Sequence, residues 1–153
     1  MEKELLISKL NWFYHFELNQ VDLYHSQSKA AKDDCIALAF ERIAYIEQQH
    51  VDNLGSVIKK LGGKPSALGD IISPLIGSIT GRALSLAGIQ NMLKVNILLE
   101  QSVMSNYKKL IHQIRDQHDK ELILTLQHNL IDEDLHAAWF ANKLDEIEKD
   151  ETS

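Results

Sequence analysis

Glu47-Gln48-Gln49-His50 and Glu133-Asp134-Leu135-His136 are the two stretches on which the reading of this sequence turns. In each, a glutamate precedes a histidine by three positions, so on an α-helix both side chains leave the same face about one turn apart. Around the first, residues at alternating spacings of four and three read Ile36, Phe40, Ile43, Glu47, His50, Leu54, Val57 and Leu61. Around the second they read Leu122, Leu126, Asn129, Glu133, His136 and Phe140. Such a stripe is the face by which a helix packs on its neighbours. Both Glu-x-x-His pairs therefore interrupt an apolar seam, where a charge has to be compensated.

Working outward, one more striped segment precedes each pair. Leu10, Tyr14, Glu17, Val21 and Tyr24 form the first; Ile89, Leu93, Asn96, Glu100, Val103, Tyr107, Leu110 and Ile114 form the second. Each carries one inward glutamate, Glu17 or Glu100. The pattern predicts four long helices: Lys3 to Ala31; from a cap at Asp33 or Asp34 to Leu61; Ala83 to Ile114; and, after a polar turn at 116–119, a last one to near Ile147. Residues 148–153 read as a frayed charged tail. Gly62-Gly63 ends the second helix, and both prolines and all but one of the seven glycines fall between Gly62 and Gly88. Within that connection, Ser73-Pro74 predicts the start of a short helix.

The turns after the first and third helices are short, which makes each pair an antiparallel hairpin. A helix of about 28 residues is about 42 Å long, a span that a crossover over 63–82 can retrace. The expectation is an all-α, single-domain four-helix bundle over residues 1–153, with one long crossover between helices two and three.

Four glutamates in one dry core cannot all stay ionised, because desolvation and mutual repulsion both oppose it. Two divalent cations answer both penalties. One Glu from each of two helices and Glu-x-x-His from the other two is the composition of a carboxylate-bridged dinuclear site. The candidate ligands are Glu17, Glu47, His50, Glu100, Glu133 and His136, with Glu17 and Glu100 terminal, Glu47 and Glu133 bridging, and one histidine per metal. Oxygen-rich ligands with one imidazole each suit two iron ions, or manganese. Tyr24 and Tyr107 lie on the same stripes, either as core packing or as supports and radical relays beside the ligands. Asn96 and Asn129 either bond each other or orient a ligand carboxylate. Asp22, His25, His15, His112, His118 and His128 fall off the stripes and read as solvated.

Composition narrows the rest. A net charge of −6 without a basic stretch argues against nucleic acid. The single cysteine, Cys35, excludes an internal disulfide or a Cys-only cluster and reads as a small core residue. The charged start Met1-Glu2-Lys3-Glu4 predicts no signal peptide. The most apolar region, Ile71 to Leu99, is broken by Pro74, Arg82 and Lys94, which argues against a span but allows peripheral contact with a membrane. A cytoplasmic chain, peripheral at most at the inner membrane face and self-associating, is the expectation.

With these residues in view, the chain resembles the ferritin-like superfamily, and within it the demethoxyubiquinone hydroxylase family. The six ligand positions match that family's order and approximate spacing. Glu100-Gln101-Ser102-Val103 with Asn106-Tyr107 is similar to its Glu-Glu-Ser-Ile with a later His-Tyr. Asp132-Glu133-Asp134-Leu135-His136 is similar to its Glu-Glu-Leu-Glu-His, and Leu75 to Gly88 to its membrane-leaning segment. Gln101 and Asn106 depart from the pattern, and Tyr14-His15-Phe16-Glu17 replaces its Asp-His-Ala-Gly-Glu. The resemblance carries over the ligands, and does not carry over quinone specificity. Leu61-Gly62-Gly63-Lys64-Pro65 is also similar to the helix exit of rubrerythrins, whose four-cysteine iron domain one cysteine cannot build.

The resemblance implies a monooxygenase that activates dioxygen on two irons and hydroxylates a small hydrophobic, quinone-like substrate. The alternative is a ferritin- or rubrerythrin-like protein that takes up and oxidises iron, or handles peroxide, without an organic substrate.

Overall fold

The computed structural model describes residues 1–66, 88–116 and 119–152. They form four helices: α1 (Lys3–Ala30), α2 (Asp34–Lys60), α3 (Ile89–Ile114) and α4 (Lys120–Asp150). No strand occurs among the described residues. The short helix expected at Ser73-Pro74, the segment 75–87, the start of helix three at Ala83 and His118 lie outside them.

Local chemistry sets the helix ends. Of the two aspartates that could open α2, Asp33 is the cap: its Oδ1 accepts the Ile36 N–H at 2.9 Å. The Asp119 side chain caps α4 through the Glu121 N–H at 3.2 Å. At the far end of α2, Gly62 adopts φ 79°, a left-handed conformation that suits glycine, and its N–H returns to the Lys59 carbonyl at 2.8 Å. The end of α4 departs from expectation. The helix passes Ile147 and continues to Asp150, so the first three residues of the charged tail are helical. Lys149 pairs with Asp145 one turn back, and the Thr152 hydroxyl donates to the Lys149 carbonyl at 2.9 Å.

Cross-helix contacts fix the topology. Tyr107 of α3 reaches Glu17 of α1, Tyr24 reaches back to Glu100, and Gln27 meets Asn96. Ascending numbers on α1 thus face descending numbers on α3, and the pair is antiparallel. Lys60 with Glu121, and His50 with Asp132, show the same for α2 and α4. Since α1 and α2 form a hairpin, α2 and α3 must run parallel, so the chain cannot join them by a tight turn. The ends agree. After α2, Lys64 and Ser66 bond Asn11 near the start of α1, whereas Gly88 and Ile89 share a cleft with Ala31, Asp33 and Ile36 at the opposite end. Residues between them connect the two ends of the bundle, which is the expected long crossover.

The core is continuous along the bundle. Leu6, Leu10, Leu93, Leu110, Leu126 and Phe140 are among its fully enclosed members. The apolar face of α1 is wider than the predicted stripe, because Phe13 and Phe16 are buried as well, while Tyr14 is only half-buried. Cys35 is exposed, which corrects its reading as a core residue; the neighbouring Ile36 takes the inward position in the first turn of α2. No helix among the described residues is long and apolar enough to cross a membrane.

If Asp33 caps α2, Asp33→Ala lowers stability by about 1 kcal/mol, or about 2–4 °C in melting temperature for a chain of this size, whereas Asp34→Ala leaves it nearly unchanged. Calorimetry of the two variants measures this; equal effects would assign the capping elsewhere.

Candidate metal centre

All six residues proposed from the sequence meet at one level of the bundle. Glu17, Glu47, Glu100 and Glu133 are completely buried, and His50 and His136 are 1% and 4% exposed. They fall into two groups, Glu17/Glu47/His50/Glu133 and Glu47/Glu100/Glu133/His136, in each of which one donor atom per residue lies within 4.8 Å of the others. Glu47 and Glu133 belong to both groups, which is where a bridging carboxylate has to stand.

Each histidine turns Nδ1 inward. His50 Nδ1 lies 3.0 Å from Glu47 and 3.1 Å from Glu133, and His136 Nδ1 lies 3.1 Å from Glu47 and 3.6 Å from Glu133. The fit to cations shows in what these atoms lack. Glu17 Oε2, both oxygens of Glu47 and of Glu133, and Nδ1 of both histidines are buried without a hydrogen-bond partner among the described residues. Buried polar atoms are normally paired. Here they converge on one another, and the oxygen-rich donor set with one imidazole per group suits iron or manganese.

Neighbouring side chains hold this cluster. Tyr107 donates to Glu17 Oε1 at 2.5 Å and accepts from Asn129 Nδ2 at 3.1 Å. Tyr24 donates to Glu100 Oε1, while Gln20 Nε2 reaches Glu100 Oε2 at 3.1 Å and the Tyr24 hydroxyl at 3.2 Å. Both tyrosines therefore hold carboxylates of the cluster as well as packing in the core; the Tyr107 ring stacks on Phe13 at 4.1 Å between centroids. Asn129 acts on Glu17 through Tyr107. Asn96 pairs with Gln27 in both directions, at 2.7 and 3.0 Å, and so does not bond Asn129.

Gln20, Gln27 and Asp132 are the positions that sequence reasoning missed. Asp132 Oδ2 lies 3.2 Å from His50 Nε2, on the side of the ring away from the cluster. A signal for the glutamines existed: Gln20 lies three positions beyond Glu17, and Gln27 three beyond Tyr24. Asp22, His25, His112 and His128 are exposed and take no part; His15 is half-buried and contacts Asn19.

Burial, then the Glu133 and Glu47 charges, raises the Glu17 carboxyl well above the usual carboxylate range. Glu100 is raised as well, first by burial and then by Glu133. Burial also opposes charge on Glu133, but its contacts with Glu100, His136 and His50 outweigh that and hold it ionised. For the histidines, burial works against the charged form and loses. Asp132, Glu133 and Glu47 raise His50 well above an ordinary imidazole, and Glu133 and Glu47 raise His136 from 6.5 to about 9. Without metal, protons supply the positive charge that the carboxylates require.

The sign for stability follows. Glu17 and Glu100 keep protons in the fold that the unfolded chain releases, so raising the pH above the ordinary glutamate range destabilises the metal-free fold. Protonated His136 supports the fold fully below 6.5, and that support is lost as pH rises through about 9. Both effects act in one direction. The chelator-treated protein is expected to lose melting temperature steadily from about pH 6 to about pH 9, and the metal-loaded protein much less, because ion binding adds stability of its own. A flat profile after chelation would contradict this distribution of protons.

Comparison with known proteins places this geometry. No curated protein matches the chain. The family model described as the ferritin-like domain matches residues 8–150, a range that holds all four helices apart from the first turn of α1 and includes every residue of the cluster. By that match, and with two antiparallel helix hairpins joined by a long crossover around a buried Glu/His cluster, the chain belongs to the ferritin-like family.

Proposed function

We propose that this chain is a dinuclear iron oxidoreductase that reacts with dioxygen or peroxide. Glu17 and His50 would hold one ion, Glu100 and His136 the other, and Glu47 and Glu133 would be shared between them as bridging carboxylates. The observation that carries the reading is the convergence of buried, unpartnered donor atoms in two groups that share two carboxylates.

When bound, the metal pair supplies the redox chemistry toward oxygen or peroxide that no side chain here can supply. The chain's residues do the rest. Tyr107 and Tyr24 fix the terminal carboxylates, and Asn129 and Gln20 fix the tyrosines. Asp132 holds the His50 ring with Nδ1 inward. Phe13, Phe16, Phe40 and Phe140 are buried in the same core and shield the cluster from bulk water.

Within this reading, hydroxylation of a small hydrophobic, quinone-like substrate is supported by the similarity of Glu100-Gln101-Ser102-Val103 and of Asp132 to His136 to the demethoxyubiquinone hydroxylases. The segment that would meet a membrane-borne substrate lies mostly outside the described residues. A second reading, oxidation of iron or removal of peroxide without an organic substrate, draws on the enclosure. None of the six residues is more than 4% exposed, which suits ions and small oxidants better than a ring system.

Anaerobic ferrous loading is expected to give two irons per chain and oxygen consumption when air is admitted. Glu47→Ala or Glu133→Ala abolishes that stoichiometry; two tightly held ions in both variants would defeat the bridging assignment. Adding a quinone analogue and a reductant then separates the readings. Labelled oxygen in an organic product supports the hydroxylase, and oxygen or peroxide use accounted for by iron alone supports the other.

A further inference from the structure

Away from the Glu/His cluster, a cleft of about 380 Å³ opens on the outside of the bundle between the first half of α1 and the last half of α3. Its apolar lining comes from Trp12, Phe13 and Leu110, and its polar lining includes Lys9, Lys109 and Asn106. The aromatic wall is fixed in advance. Phe13 is buried between Tyr107, on which it stacks at 4.1 Å, and Trp12, which meets it edge-on at 5.0 Å. Trp12 is held from a second side by Phe16 at 5.3 Å, and Asn106 by its bond to the Ser102 carbonyl at 2.9 Å. A wall that need not reorganise costs a ligand little to meet.

The charge of the lining is of one sign. Lys9 and Lys109 both border the cleft, and no acidic residue lines it. Residues three and four positions from Lys9 are Leu5, Leu6, Trp12 and Phe13; those from Lys109 are Ser105, Asn106, His112 and Gln113. Neither lysine thus has a carboxylate at the spacing that pairs charges on a helix, and neither makes an ion pair among the described residues. Two other clefts differ in this respect. One sets Lys59 beside Asp52 and the other Lys32 beside Asp33, so each carries both signs. In a chain of net charge −6, two uncompensated cations over an aromatic wall mark a place for an anion with an apolar body.

We propose that this cleft binds a small aromatic carboxylate, its ring against Trp12, Phe13 and Leu110 and its carboxylate between Lys9 and Lys109. The flat walls of Trp12 and Phe13 suit an aromatic ring, and two ammonium groups without partners suit a carboxylate. The site is separate from the metal cluster and needs no metal for binding.

Titration of the full-length chain with 2-naphthoate, followed by calorimetry and by magnetic resonance of the two tryptophan indoles, tests this. The Trp139→Phe variant assigns the indole signals. Binding is expected to saturate at one equivalent below millimolar concentration and to shift the Trp12 indole, leaving that of Trp139 in place. The neutral analogue 2-naphthylmethanol binds at least about fivefold more weakly. Lys9→Met and Lys109→Met each weaken 2-naphthoate by about threefold, together by about tenfold, and leave 2-naphthylmethanol unchanged. Asn106→Trp, which fills the cleft, abolishes binding of both. Circular dichroism confirms that each variant keeps the helical fold. Equal affinity for the acid and the alcohol, unchanged naphthoate binding in the double lysine variant, shifts centred away from Trp12, or no saturation at millimolar naphthoate would each overturn the proposal.

Discussion

Four carboxylates at one level of an apolar bundle are the constraint that the rest of this structure answers. An ionised carboxylate in a low-dielectric interior is costly unless it is paired, and four near one another compound the cost. The fold meets this in layers. Two imidazoles stand among the glutamates, two phenolic hydroxyls and one amide donate to them, and protons or cations complete the balance. Leucine and phenylalanine layers on both sides supply the burial that draws the helices together. The polar level decides how the bundle is aligned, since a shift by one turn would strand its charged groups among apolar side chains.

The supports cross between hairpins. Tyr24 belongs to the first hairpin and bonds a glutamate of the second; Tyr107 does the reverse. Asp132 likewise reaches from α4 to a histidine on α2. Glu17, Glu100 and His50 are thus each held from the partner hairpin. The alignment of the cluster therefore depends on how the two hairpins dock.

Much of this was legible in the chain. Glu17, Glu47, His50, Glu100, Glu133 and His136 stand out because a charged residue on a four-three seam contradicts its surroundings, and six contradictions at matching depth have one economical explanation. The crossover was legible because both prolines and most glycines collect in one segment. What escaped depends on rotamers and cross-chain distances. Gln20 and Gln27 look like ordinary surface residues of a helix until the width of the buried face of α1 is known. Asp132 lies just off the seam and acts only through the tilt that brings it to His50. Asn96 was visible as a buried amide, but its partner could be chosen only once α1 and α3 were in register. Cys35 illustrates the converse: a small residue at a helix start reads as core by type, and one position of rotation puts it outside.

The two hairpins carry one pattern twice: Glu17 and Tyr24 match Glu100 and Tyr107, and Glu47 and His50 match Glu133 and His136. Half of this molecule carries one glutamate, a tyrosine seven residues later and one Glu-x-x-His, which is half of everything the centre contains. Such a half is incomplete alone, yet two identical copies facing each other would assemble the full set with strict symmetry. Joining them in one chain frees each half to drift on its own. Ile46 against Asp132 and Val103 against Gln20 are positions at which the two halves differ. One continuous chain thereby permits what a pair of identical hairpins forbids, different surroundings for the two halves of one cluster.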